Sequence, residues 1–441
     1  MNPHTLRKLT ITGTVNSLPP DKSISHRAAL IAALAHGTSH IDNFSGGLDN
    51  QTTLQALAAL GLEVVQTIHN DRRTVRIRAN GLWSLKPAAN AIECHNSGST
   101  MRMLAGILAA QPFSSVLIGD ASLMRRPMKR IADPLSAMGA EVALSPAQTA
   151  PIRITGSKHL RPISYTSPIA SAQVKSAIIF AALHADGTSE IIEPACSRDH
   201  TERMLGLERE CLPNGYYRTR VSGIATLPAR HFVIPADPSA AAFLIALALL
   251  ADRSELVLQR VCLNPTRIAY LDLLRAAGAC IAVESVQDEC GEPVGSIVVT
   301  TSKLTTPLCI SGKQTVASVI DEIPMLAMLS ALATERFELQ NAEELRTKES
   351  DRIAALVKNL RRMGFECEEY PDGFLVRQRK FVPSAPVHIE TFGDHRIAMA
   401  FHIASYCAGA ELVLSEVASI PVSFPNFFES TESTHYGLEL C

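Results

Sequence analysis

Lysine and arginine recur in this chain beside serine, glycine and carboxylates, at points where apolar stretches begin. Lys22, Ser23 and Arg27 fall within about one and a half helical turns, with Lys22 read just outside the helix that Ser23 opens. Asn96, Gly98 and Arg102 hold the same phase of a second segment, and Met124-Arg125-Arg126-Pro127-Met128 reads as the opening of the next helix, with Pro127 at its first position. Ser171 and Gln173 begin a third segment, followed by Arg198-Asp199-His200. Later come Asp321-Glu322, then Arg346-Thr347-Lys348-Glu349-Ser350-Asp351-Arg352, then Asp394-His395-Arg396. Guanidinium forks bind carboxylate and phosphate at two points, and an ammonium makes a point contact that can also pass a proton. The mixture suits an enzyme that holds two anionic substrates with Lys and Arg and moves protons with Asp or Glu.

Each residue also has a plainer use. Ser23, Ser171 and Asp321 are favoured helix N-caps. Lys348, Glu349 and Arg352 could form solvated helical pairs worth only about 0.3–0.5 kcal/mol. His26 and His395 read as structural, and Arg125, Lys129 and Arg130 as surface charge. The ionisable residues nevertheless recur at one point of separate repeats, whereas a solvated face would scatter them.

The elements that position these residues form an internal repeat. A Ser or Asp, an Ala/Leu/Ile/Met-rich helix, a small-polar turn and a short strand recur six times. The turns are Gly37-Thr38-Ser39, Ser114-Ser115, Gly187-Thr188-Ser189, Asp252-Arg253-Ser254, Thr334-Glu335-Arg336 and Ala408-Gly409-Ala410. A second helix and return strand follow, as in residues 54–65, 131–142, 268–283 and 353–367, so each unit is an α/β module. The first helices are apolar nearly all round, as in residues 240–250, and belong in the interior; the second helices are amphipathic. Pro19-Pro20 and Pro235 divide the six units three and three. The expected domains are therefore residues 20–235, and residues 1–19 together with 236–441, the Leu9–Val15 strand joining the later half. Ligands are expected in a cleft between two such halves, where helix N-termini make an anion trap.

Composition narrows the function further. The chain has 441 residues, enough for roughly two to three domains. Its 41 basic and 43 acidic residues give a net charge of −2, which provides no global field for nucleic acid. One Trp and 5% aromatic residues leave few stacking platforms for single strands. Residues 1–12 show no signal-peptide pattern, and the longest apolar run, residues 240–251, is too short to span a bilayer. A cytoplasmic protein without membrane or nucleic-acid partners is expected. Ten cysteines without a C-x-x-C pair signal no zinc cluster or redox dithiol, and no metal is expected.

The chain resembles the family of 3-phosphoshikimate 1-carboxyvinyltransferases (5-enolpyruvylshikimate-3-phosphate synthases), which are enolpyruvyl transferases. The likeness runs through Asp21-Lys22-Ser23-Ile24-Ser25-His26-Arg27, Asn96-Ser97-Gly98-Ser99-Thr100-Met101-Arg102, Arg126-Pro127-Met128 and Ser171-Ala172-Gln173-Val174-Lys175-Ser176-Ala177. It continues in Arg198-Asp199-His200-Thr201-Glu202, Asp321-Glu322-Ile323-Pro324, residues 344–352 and Asp394-His395-Arg396. The resemblance implies two similar α/β domains, each of three βαβαββ units around interior helices (an inverse α/β barrel), with the active site in the interdomain cleft. It implies transfer of the enolpyruvyl group of phosphoenolpyruvate to the 5-hydroxyl of 3-phosphoshikimate, with release of phosphate and without metal or organic cofactor; a monomer is expected. The reaction serves chorismate and aromatic amino acid biosynthesis. Carried over by position, Lys22, Ser23, Arg27, Ser171, Gln173, Arg198, Asp321 and Lys348 hold 3-phosphoshikimate, and Lys22, Asn96, Gly98, Arg126, Gln173, Arg352 and Arg396 hold phosphoenolpyruvate. Asp321, Glu349 and Lys22 are the implied catalytic groups.

Two departures stand out. Pro421-Val422-Ser423-Phe424-Pro425 has no lysine where many members carry one, and with Ser171-Ala172-Gln173 it resembles the subgroup described as less sensitive to glyphosate. Residues 205–220 match nothing and read as a surface turn. A sibling family, the UDP-N-acetylglucosamine 1-carboxyvinyltransferases, normally carries a reactive cysteine where this chain reads Gly119-Asp120-Ala121-Ser122-Leu123-Met124-Arg125-Arg126. An RNA 3′-terminal phosphate cyclase would need a nucleotide-accepting histidine and a basic surface. A non-catalytic anion binder would gain nothing from Asp321 and Glu349.

Overall fold

The computed structural model describes residues 9–70, 72–432 and 438–440. Residues 1–8, whose sequence pattern was considered above, lie outside this set, as does the side chain of Val422. The chain divides into two compact units, residues 20–235 with 288–292, and residues 1–19 with 236–287 and 293–441.

Thirteen helices are described: α1 (Lys22–Leu34), α2 (Leu48–Ala59), α3 (Gly98–Ala110), α4 (Lys129–Ala137), α5 (Ala172–Ala182), α6 (His200–Leu205), α7 (Pro238–Leu250), α8 (Ala269–Ala276), α9 (Lys313–Val319), α10 (Ile323–Thr334), α11 (Arg352–Arg362), α12 (His395–Ser405) and α13 (Phe427–Glu432). In the first unit, α1, α3 and α5 are the apolar helices of three repeats, and α1 is buried from Ile24 through Leu34. Helices α3 and α5 touch at Gly106, where a Cβ would lie 2.0 Å from the carbonyl oxygen of Ala177. Only glycine permits that approach.

Three four-stranded sheets cover these helices. One runs Ile92–Glu93, Ser114–Ile118, Ile152–Thr155, Glu141–Ala143; a second runs Ser164–Thr166, Thr188–Glu193, Tyr217–Ser222, Arg209–Cys211. In both, the first two strands are parallel and the remaining pairs antiparallel, as a βαβαββ unit requires. The first repeat begins directly with α1 and has no leading strand. His231–Val233 fills that place, pairing in parallel with His36–Asp42.

The second unit repeats the plan around α7, α10 and α12. Helix α7 is buried from Pro238 through Leu249, so an all-round apolar sequence has become an all-round buried helix. Leu9–Val15 pairs in parallel with Arg253–Cys262 and takes the corresponding leading position, with Leu438–Leu440 antiparallel on its other side. Leu308–Ile310, Phe337–Leu339, Gly373–Arg379 and Phe365–Tyr370 form a complete four-stranded sheet. The sixth repeat shows only the parallel pair Val387–Ile389 and Leu412–Leu414 among the described residues. The amphipathic α11 buries Ile353, Leu356 and Leu360 and turns Lys358, Arg361 and Arg362 outward.

Several local expectations are corrected. Ser23 does not cap α1: Asp21 does, accepting from Ile24 N at 2.8 Å, and Lys22 is the first helical residue. Asp321 is not a cap either, since Glu322 holds that position and makes no side-chain cap bond. Pro127 does not open α4. The residue before a proline is driven to extended backbone, and Arg126 is extended, Pro127 bridges to Thr149, and α4 starts at Lys129. Gly37-Thr38-Ser39 and Ser114-Ser115 begin strands and are not separate turns. Residues 205–220 contain a strand, Arg209–Cys211, that pairs antiparallel with Tyr217–Ser222, where a surface turn was expected. No single helix among the described residues is long and apolar enough to cross a membrane; α9 and α10 together meet the length and composition but are bent by 96°.

Candidate active site

The candidate residues fall into two clusters, one in each unit. In the unit containing residues 20–235 most of them sit at the N-terminal ends of α1, α3 and α5, while Arg126 precedes α4 and Arg198 precedes α6. Lys22 Nζ lies 2.5 Å from Asp49 Oδ2 in the first turn of α2, and Asn50 donates from Nδ2 to the Lys22 carbonyl at 3.0 Å. Lys22 remains about one quarter exposed. Asp49 was not marked by the sequence reading; the only local signal for it is an acid in a helix's first turn.

Arg27 is buried and ties three helices together. It donates from Nε to Thr201 Oγ1 at 2.8 Å, from Nη1 to the Ser23 carbonyl at 3.0 Å and from Nη2 to Ser176 Oγ at 3.1 Å. Burial lowers its pKa to about 10, against the raising influence of Glu202. Arg198 adds positive charge next to it. Below this group, Lys175 is 2% exposed and lies 2.5 Å from Glu193 and 2.7 Å from Glu202. Burial opposes its charge, but the two carboxylates outweigh that and its pKa is raised.

Gly98 opens α3 behind the cap Ser97. A Cβ at Gly98 would lie 2.9 Å from Arg102 Nη1 and 3.5 Å from Arg126 Nη1. Its absence lets two guanidiniums approach the N-terminus of α3, where cations and the helix dipole together favour an anion. Arg102, noted by phase but not assigned a role from sequence, donates to Gln173 Oε1 at 2.7 Å, and Gln173 donates from Nε2 to Ser99 Oγ at 3.0 Å. Asn96 accepts from Arg126 Nη2 and donates to Asp120 Oδ2, both at 2.7 Å. Arg126 Nε is buried with no hydrogen-bond partner among the described residues. Ser171 occupies the N-cap position of α5 without a side-chain cap bond.

The second cluster is built from α10, α11 and α12. Arg352 is 1% exposed and central, so it is no solvated surface charge. It donates from Nε to Asp394 Oδ2 at 2.8 Å and from Nη2 to Glu349 Oε2 at 2.7 Å, with Nη1 3.6 Å from Asp321 Oδ1. Nη1 makes no hydrogen bond among the described residues and is buried. Burial alone would lower the Arg352 pKa; Asp394 and Glu349 outweigh it and the shift is upward. Asp394 caps α12, accepting from Arg396 N at 2.9 Å, and Ser350 donates to it at 3.1 Å. Burial would raise its pKa, but Arg352 holds it below the usual carboxylate value. Arg396 donates from Nη1 to the Asp321 carbonyl at 2.8 Å and places Nη2 3.7 Å from Asp321 Oδ2. Lys348 and Glu349 lie on the stretch between Glu343–Thr347 and α11, with Lys348 half-buried and Glu349 exposed. Arg346 anchors this stretch by donating to Asp351 at 2.8 Å, Glu369 at 3.0 Å and the Pro371 carbonyl at 2.7 Å.

Each cluster therefore contains one guanidinium with a buried N–H that has no hydrogen-bond partner among the described residues, Arg126 in the first and Arg352 in the second, together with carboxylates. A family model described as EPSP synthase (3-phosphoshikimate 1-carboxyvinyltransferase) matches residues 7–431. A 3-phosphoshikimate 1-carboxyvinyltransferase of Chlorobaculum parvum is 59% identical over 426 residues, covering 96% of this chain and 98% of that protein. One from Chlorobaculum tepidum is 59% identical over 430 residues, covering 96% and 99%. A solved EPSP synthase from Acinetobacter baumannii superposes with a TM-score of 0.80 at 36% identity, covering 96% of this chain and 95% of that one. This chain belongs to the EPSP synthase, or 3-phosphoshikimate 1-carboxyvinyltransferase, family.

Proposed function

We propose that this chain transfers the enolpyruvyl group of phosphoenolpyruvate to the 5-hydroxyl of 3-phosphoshikimate, giving 5-enolpyruvylshikimate 3-phosphate and inorganic phosphate on the route to chorismate. The methylene carbon of phosphoenolpyruvate gains a proton, the neighbouring carbon takes the 5-oxygen, and the 5-hydroxyl proton leaves. The resulting tetrahedral ketal phosphate then loses a methyl proton and expels phosphate, restoring the double bond.

Asp321 is the base at the 5-hydroxyl. Glu349, held by Arg352 at 2.7 Å, delivers and later removes the methyl proton. Lys22 assists the leaving phosphate, its ammonium aligned by Asp49. Lys22, Ser23, Arg27, Ser171, Gln173, Arg198, Asp321 and Lys348 bind 3-phosphoshikimate. Lys22, Asn96, Gly98, Arg126, Gln173, Arg352 and Arg396 bind phosphoenolpyruvate. Arg27 spends three donors on Thr201, Ser23 and Ser176, so its part is as much to fix the helix ends as to hold a ligand. Preorganised cations facing developing phosphate charge supply the main rate enhancement.

The observation that carries the reading is that Arg126 and Arg352, both assigned to phosphoenolpyruvate, each retain a buried N–H that makes no hydrogen bond among the described residues. Such a donor is costly unless a ligand meets it. The protein is read as a cytoplasmic monomer acting on small molecules, without metal, organic cofactor, membrane or nucleic-acid partner. The test is phosphate release from phosphoenolpyruvate with 3-phosphoshikimate as acceptor, set against UDP-N-acetylglucosamine. Release with the first acceptor and without added metal is expected; release with the sugar nucleotide alone overturns the reading.

A further inference from the structure

His26 is wholly buried within α1, yet it is not isolated. Its Nδ1 lies 2.7 Å from Thr53 Oγ1 on α2. Thr53 Oγ1 is 2.7 Å from Thr100 Oγ1 on α3, and Thr100 Oγ1 is 2.7 Å from Ser97 Oγ, the α3 cap. Thr100 Oγ1 also donates to the Asp49 carbonyl at 3.4 Å, while Ser97 Oγ accepts from Thr100 N at 3.2 Å. All four polar side chains are buried. The chain thus starts at an imidazole and ends on the two residues that flank the proposed anion site: the cap next to Gly98, and the backbone of Asp49, whose carboxylate holds Lys22.

The proton assignments follow from counting donors. With Thr100 donating to the Asp49 carbonyl, its oxygen can accept from both Thr53 and Ser97, and Thr53 can accept from His26 Nδ1–H. Every hydroxyl then donates once, and within this group the bare Nε2 of His26 is left with no hydrogen-bond partner among the described residues. The opposite order would strand a buried N–H at Nε2 and leave the Asp49 carbonyl without its hydroxyl donor. Burial lowers the pKa of His26 to about 3, so the ring is neutral at physiological pH and able to hold one tautomer.

We propose that His26, Thr53, Thr100 and Ser97 form a positioning relay, its hydrogen bonds converging on Thr100, that sets the α3 N-terminus and Asp49, and through them the grip of Gly98 and Lys22 on phosphoenolpyruvate. None of the four touches substrate in this account; they act through the residues that do. The inference rests on the enolpyruvyl-transfer reading.

The test compares Thr53→Val, which keeps the shape and removes the hydroxyl, with Thr53→Ser, which restores it. Thr53→Val raises KM for phosphoenolpyruvate about tenfold, the value of one lost buried hydrogen bond, with a smaller change for 3-phosphoshikimate. Thr53→Ser returns to the wild-type KM. A purely structural role predicts instead a lowered melting temperature with unchanged KM values in the enzyme that remains folded, and that result overturns the relay. A measurement on the wild type does not depend on variant folding: nitrogen-15 spectra of labelled histidine show His26 as a neutral Nδ1–H tautomer whose signal moves when phosphoenolpyruvate binds. An Nε2–H tautomer or an imidazolium overturns the assignment. Wild-type enzyme that releases no phosphate refutes the functional reading instead, so the two failures are distinguishable.

Discussion

Replacing Arg352 by methionine tests the second cluster most directly. The guanidinium is 1% exposed and Asp394 is 0% exposed, with donors from Nε at 2.8 Å and Nη2 at 3.4 Å reaching its two carboxylate oxygens. Removing the cation leaves a fully buried carboxylate supported, among the described residues, by Ser350 Oγ, Arg396 N and its remaining charged neighbours. Breaking one partner of a buried pair costs about 3–5 kcal/mol. Urea unfolding at pH 7 should show a loss of that order for Arg352→Met. The pH dependence has a defined sign. In the wild type the Asp394 pKa is depressed on folding, so its contribution is present above the unfolded value and lost as pH falls through the folded value. In Arg352→Met that depression is removed, and the deficit relative to wild type shrinks as the medium is acidified. Asp394→Asn in the Arg352→Met background removes the buried charge while keeping a competent cap, and should recover about 1–3 kcal/mol, the usual coupling between adjacent sites. Phosphate release stays absent in both variants, because the Nη1 donor is gone. An Arg352→Met protein within about 1 kcal/mol of wild type at pH 7 would refute the assignment of Arg352 and Asp394 as a structural pair.

Asp321→Ala should retain much of its affinity for 3-phosphoshikimate by calorimetry while kcat falls about 10²–10⁴-fold, the share of a general base; near-full turnover removes Asp321 from the mechanism. Gly98→Ala places a methyl 2.9 Å from Arg102 Nη1 and should raise KM for phosphoenolpyruvate at least about tenfold, with little change in 3-phosphoshikimate affinity; equal loss for both substrates contradicts the local clash. Folding depresses the His26 pKa from 6.5 to about 3, so its contribution to stability is present above 6.5 and declines as pH falls between those values. Thermal melts of His26→Gln should therefore show a shallower loss across that window than wild type; parallel curves count against it.

Much of the arrangement was legible because it is written locally. The apolar run in residues 238–250 lacks a polar face, and a helix without one must be buried, as α7 is. Repeat phase put Lys22, Ser23 and Arg27 at the same point of their unit as Asn96, Gly98 and Arg102 of the next, and the structure has these two sets at or beside the starts of α1 and α3. Boundaries were less legible. Asp21 took the cap from Ser23 because its carboxylate reaches the Ile24 N–H, and Pro127 forced Arg126 to extend, which brings it to Asn96. The hairpin within residues 205–222 was missed because its short strands carry charged residues on a solvent face, so alternation is weak.

The sequence alone determined the kinds of group available for chemistry, their recurrence at helix starts, and the α/β repeat, since these depend on residue type and short-range spacing. Tertiary structure alone decided which partner each group has. Asp49 reaches Lys22 from a different helix, Asp394 meets Arg352 across 42 residues of chain, and Thr53 links His26 to Thr100. Such pairings arise where separate elements pack, and no local pattern encodes a distance between residues that only folding brings together.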